Sequence, residues 1–107
     1  MTKELALYVS NFVSQQKQYR ESMFRILERI YKMYSEPMIL NTICTLLIKG
    51  NKTQKRYFSW YQKAVDAELK IAQLYEYYMI TLAEEKCQRP ASEVDFTLFH
   101  AWKYAGL

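Results

Sequence analysis

Between Thr2 and Cys87 the chain holds one proline, Pro37, and one glycine, Gly50. A sheet of short strands needs turn residues at frequent intervals, and a chain this poor in breakers cannot supply them. Long uninterrupted stretches with apolar residues three and four apart are left, and they predict an all-α fold. The clearest stretch is Tyr57 to Val65. Its Tyr57, Trp60, Tyr61, Ala64 and Val65 recur at helical spacing, while Lys55, Arg56, Ser59, Gln62, Lys63 and Asp66 occupy the other face. An aromatic face of that size needs neighbouring helices to cover it.

Taken in order, the pattern predicts about six helices. Thr2 can cap the first, with Glu4 in its first turn and Leu5, Tyr8, Val9 and Phe12 inward, widened by Ala6 and Val13. The polar run Ser14 to Gln18 is either the end of that helix or a short turn. The second helix buries Met23, Leu27, Ile30 and Tyr34. Pro37 ends it and opens the third, which runs to about Lys49 and is apolar nearly all round, as in a helix sandwiched between others. Gly50 is placed to take the left-handed position beyond its end. Thr53 can cap the aromatic fourth helix. A fifth starts at Leu69, with Ile71, Leu74, Tyr75, Tyr78, Met79 and Leu82 inward and Tyr77 and Ile80 as a second flank. After Pro90, Ser92 and Asp95 form a capping pair for a last helix carrying Val94, Leu98, Phe99 and Trp102.

Pairs of helices then begin near Lys3, Pro37 and Leu69, which are 34 and 32 residues apart. That spacing fits three stacked antiparallel helical hairpins, each burying against its neighbour what it cannot bury alone. The 107 residues make a single helical-repeat domain, or a piece of a larger protein. Such a chain can bury about 60–70% of its unfolded surface, enough for a core without disulfides or metal.

The residues Trp60-Tyr61-Gln62-Lys63-Ala64-Val65 resemble the second-helix signature of tetratricopeptide and Sel1-like repeats. The wider stretch from Ile43 to Met79, with Leu74-Tyr75-Glu76-Tyr77-Tyr78-Met79, resembles a segment of large bacterial helical proteins grouped as a domain of unknown function. The resemblance implies a helical scaffold of the tetratricopeptide-like superhelix kind and brings no catalytic residues with it. It departs from the repeat pattern in having Leu, Ile and Tyr where small first-helix residues are expected.

Nothing in the sequence assembles an enzyme site. His100, Cys44 and Cys87 lack metal-ligand spacing, and no phosphate loop surrounds Gly50-Asn51-Lys52-Thr53. Glu84 and Glu85 sit together at a helix end, where carboxylates are usually solvated. The expectation is a non-catalytic chain with no cofactor, no metal and no small-molecule substrate. The apolar run Met38 to Ile48 is too short to cross a bilayer, no signal peptide opens the chain, and two cysteines make no secreted framework. A cytoplasmic protein follows.

Two binding surfaces are expected. The last helix, with Phe96, Phe99, Trp102 and Tyr104, is rich in apolar residues for the end of an array and suits a protein partner or self-association. Lys49, Lys52, Lys55 and Arg56 form a basic cluster around one helix turn. Most simply it solubilises a helix end, and the net charge of +4 is mild. Its alternative use is contact with nucleic-acid phosphates.

Overall fold

The computed structural model describes residues 1–87, and these are all helical in their regular structure. Five α-helices follow one another: α1 (Lys3–Ser14), α2 (Glu21–Met33), α3 (Pro37–Lys49), α4 (Phe58–Asp66) and α5 (Leu74–Cys87), with one 3-10 turn, Lys55–Tyr57, before α4. The helix expected over Val94 to Trp102 lies outside the described residues.

The local signals explain most helix ends. The Thr2 hydroxyl accepts the Leu5 N–H at 3.1 Å, satisfying one of the first-turn donors. Pro37 occupies the first turn of α3, where its missing N–H costs nothing. The end of α3 differs from expectation. Gly50 is right-handed, with φ −87°, and Asn51 takes the left-handed position instead, at φ 52°. The Lys52 N–H then reaches the Leu47 carbonyl at 3.0 Å and the Asn51 N–H the Ile48 carbonyl at 3.0 Å, closing a Schellman cap. Asparagine tolerates this conformation better than most residues.

Gly50 serves a different need. A β-carbon there would lie 2.6 Å from Cγ of Tyr19, whose ring packs on the glycine backbone. Gly50→Ala is therefore expected to displace Tyr19 and to cost about 1–3 kcal/mol, the usual range for overpacking. Urea denaturation followed by circular dichroism measures it.

Two further boundaries moved. The chain passes through the 3-10 turn before α4 begins, so Thr53 is not its cap. The fifth helix starts at Leu74, not Leu69, because Glu68 and Gln73 both adopt positive φ, 56° and 66°. A second Schellman cap closes α4, with the Leu69 N–H on the Ala64 carbonyl at 3.0 Å.

Helix α3 is the centre, in contact with α1, α2, α4 and α5. Its Ile39, Ile43, Cys44, Leu46 and Leu47 are all but inaccessible to solvent, as its unbroken apolar surface predicts. Three contacts fix how α1 lies on it. Lys3 pairs with Glu36 at 2.8 Å, the Ser10 hydroxyl donates to that of Thr42 at 2.9 Å, and Lys49 donates to the Gln16 carbonyl at 2.9 Å. The two helices therefore run parallel, matched end to end. α2 meets the 3-10 turn and α4 through aromatic edges: Phe24 on Tyr57 and Trp60, and Tyr31 on Trp60, with centroids 5.6–6.2 Å apart.

The inward face of α1 is not the one its larger residues predict. Ala6, Ser10 and Val13 are buried. Small residues let the parallel helices approach closely, and Ser10 finds its partner in Thr42, so the buried hydroxyls are paired. On α5, Leu74, Tyr77 and Ile80 are buried and Tyr75 is exposed, which reverses the expected roles of Tyr75 and Tyr77.

Candidate functional site

Turning Ala6, Ser10 and Val13 inward leaves the large side chains of α1 outside. Leu5, Tyr8 and Phe12 are 47%, 68% and 54% exposed and, being three and four residues apart, form one stripe along the helix. Met1 extends it beyond the helix start. Such an apolar row on a small chain marks an interaction surface more often than a scattered exposed residue does. The signal was present in the sequence as the Ala6-Ser10-Val13 face, which carries too little apolar surface to outweigh Leu5, Tyr8 and Phe12 in a hydrophobic pattern.

The four expected basic residues come together, but in different roles. Lys49 caps α1, donating to the carbonyls of Ser14 and Gln16, and places a cation at that helix C-terminus. The Lys52 ammonium sits 4.5 Å from the Tyr19 ring centroid, and the Arg56 guanidinium 4.7 Å from that of Tyr57, which it also hydrogen-bonds. Lys55 is exposed. The sequence reading left out Lys17 and Arg20, which the α1–α2 loop carries at the same end. Parallel α1 and α3 bring that loop beside the α3–α4 loop, and no local pattern announces it.

This end is held rigidly. Tyr19 packs on Gly50, and its hydroxyl donates to the Glu21 carboxylate. That hydrogen bond, with Arg25 assisting, keeps the Glu21 carboxyl below the usual carboxylate range. Tyr61 donates to the Lys52 carbonyl at 2.7 Å and Tyr77 to the Asn51 side chain at 2.7 Å, so two core tyrosines anchor the exposed loop from below. Burial pushes the Tyr61 phenol far above its ordinary value.

The apolar residues expected to bind a partner, Phe96, Phe99, Trp102 and Tyr104, lie outside the described residues. Cys44 is a free thiol buried in the core, donating to the Trp60 carbonyl at 3.3 Å, and burial pushes it up to about 12. It is a packing residue. Among the described residues no three His, Cys, Asp or Glu side chains gather as a metal site, and no helix is long and apolar enough to cross a membrane.

An all-helical chain with a rigid basic end and an apolar outer stripe is thus defined. Residues 1–95 match the N-terminal family of unknown function DUF5717, and the chain belongs to that family. No curated protein and no solved structure matches it.

Proposed function

We propose that the chain is a non-catalytic helical-repeat scaffold, a protein-interaction module of stacked tetratricopeptide-like hairpins that binds a protein partner or a second copy through α1. The observation that carries this reading is the outward stripe of Leu5, Tyr8 and Phe12 on the edge helix. The parallel match of α1 to α3 supports the stacking, since repeated hairpins bring their first helices side by side. Shifting the stripe by the 34-residue spacing gives Ile39, Thr42 and Leu46. Those three are buried, and Thr42 receives its hydrogen bond from α1. What α3 covers with a preceding helix, α1 therefore leaves open. A cytoplasmic setting belongs to the same reading, because reducing compartments keep thiols such as Cys44 free.

Light scattering over a concentration series, beside the helical circular dichroism signal, tests it. The expected mass rises above the 12.9 kDa of one chain as concentration increases. A Leu5→Ser, Tyr8→Ser, Phe12→Ser variant should stay at one chain with the same helicity. A parent that is monomeric and fully helical throughout would count against self-association, and equal masses for parent and variant would remove α1 from the contact.

A further inference from the structure

The α1–α2 loop (residues 15–20) and the segment 50–57 between α3 and α4 form one platform, joined by Tyr19 on Gly50 and by Lys49 on Gln16. Lys17, Arg20, Lys52, Lys55 and Arg56 rise from it. The ion pairs among the described residues are Lys3–Glu36 and Glu21–Arg25, so none of these five cations is within salt-bridge reach of a described carboxylate. Glu21 is the one acid in the adjoining sequence; Tyr19 and Arg25 engage it directly, and the charge of Arg56 also acts on it. Arg56 faces Glu21 and Glu28 across one concavity, while Lys17, Arg20, Lys52 and Lys55 outnumber the acids near them; such an excess of cations raises the local potential and concentrates anions. The α2 helix starts from the same loop with no side-chain cap, and Glu21 in its first turn offsets part of the positive end of its dipole.

The kind of anion follows from what surrounds the charges. Gln15, Gln16 and Gln18 join Lys17 and Arg20 in lining an open concavity of about 300 Å³. Its walls are amides and cations, with neither an acid nor an aromatic ring. The large apolar side chains that are exposed, among them Leu5, Tyr8, Ile26 and Tyr75, all lie outside both loops. A membrane surface is gripped by cations together with inserted apolar residues, and a protein partner by aromatic or apolar anchors in its hot spots. Neither loop carries an exposed large apolar side chain, and the half-buried Tyr19 ring is taken up by Gly50 and Lys52. Cations spaced over two rigid loops suit successive phosphates, and the glutamine amides can donate to and accept from sugars or base edges.

We propose that this platform binds a nucleic-acid strand along its phosphate backbone, with Lys17, Arg20 and Lys55 as principal contacts beside Lys52 and Arg56. The surface is separate from the α1 stripe, so it stands whether or not the chain self-associates.

Fluorescence anisotropy of a labelled single-stranded RNA of about 20 nucleotides, titrated with the full chain between about 50 and about 200 mM salt, reads the binding. The variant is Lys17→Gln, Arg20→Gln, Lys55→Gln, because all three side chains are exposed and none carries a packing contact that holds the loops. Parent binding should weaken steeply with salt. In the variant the dissociation constant should rise at least about tenfold, and the slope of log affinity on log salt should shrink by about 2, three phosphate contacts on a single strand. Matching circular dichroism and melting curves establish that the variant is folded. No anisotropy change at low salt would overturn the proposal, as would a variant that keeps the parent's affinity and slope. Co-sedimentation with vesicles of anionic phospholipid, lost in the variant while RNA is not bound, would overturn it in favour of a membrane surface.

Discussion

Replacing Tyr61 by alanine is expected to lower the unfolding free energy by about 3–5 kcal/mol, the range for deleting a fully buried aromatic ring. Tyr61 has no solvent exposure, meets the Tyr77 ring edge-on at 5.9 Å and donates its hydroxyl to the Lys52 carbonyl. The substitution thus removes a core ring and the anchor of the α3–α4 loop together. Tyr61→Phe separates the two effects. It keeps the ring and loses the hydrogen bond, at an expected cost of about 1–3 kcal/mol for an acceptor left unsatisfied. Urea unfolding of both variants measures the difference. Equal losses would mean that the loop anchor, and not the ring, dominates.

Ile43→Ala should cost about 2–5 kcal/mol, because Ile43 is wholly buried in the helix that every other helix touches, so a cavity there has little room to collapse. The informative comparison is Tyr8→Ala. Tyr8 is the larger residue, yet two-thirds of it is exposed, and its removal should change stability by no more than about 0.5 kcal/mol. Had Tyr8 faced inward, as the hydrophobic pattern alone indicates, the order would be reversed. Chemical denaturation of the two variants settles which face of α1 meets the core.

Legibility in the sequence followed the strength of the local signals. Pro37 and Thr2 place two helix starts, and the uniformly apolar α3 announces its central position, since such a helix leaves no side for water. The stripe Tyr57, Tyr61 and Ala64 was readable because the opposite face of α4 is polar. On α5 the apolar residues surround the helix, so periodicity could not choose between Tyr75 and Tyr77. The choice was made by tertiary contact, the hydrogen bond from Tyr77 to Asn51. On α1 the pattern put Ala6, Val9 and Val13 inward correctly and Leu5, Tyr8 and Phe12 wrongly, because a close parallel pairing selects small residues and the sequence of one helix does not say what lies against it. The left-handed turns at Glu68 and Gln73 were invisible for a related reason: neither residue is a glycine, and the packing of half-buried Leu69 and buried Leu74 on the core holds the backbone there.

The basic end shows the same division. Lys49, Lys52, Lys55 and Arg56 are neighbours in sequence and were read as a cluster. Lys17 and Arg20 join them only through the fold, some thirty residues away along the chain. Lys49 in turn stays exposed, but its ammonium is committed to the carbonyls that end α1.

The parallel pairing of α1 and α3 also shapes how the chain assembles. The α3–α4 and α4–α5 pairs join helices close in sequence, so their ends meet at small entropic cost. α1 joins α3 across the whole of α2, and it is held there by Ala6, Ser10 and Val13, by Leu7 and Val9 packed beside them, and by polar ties near both ends. The helix that presents the apolar stripe is thus covered from one side only, and a partner that clasps Leu5, Tyr8 and Phe12 would close over the other.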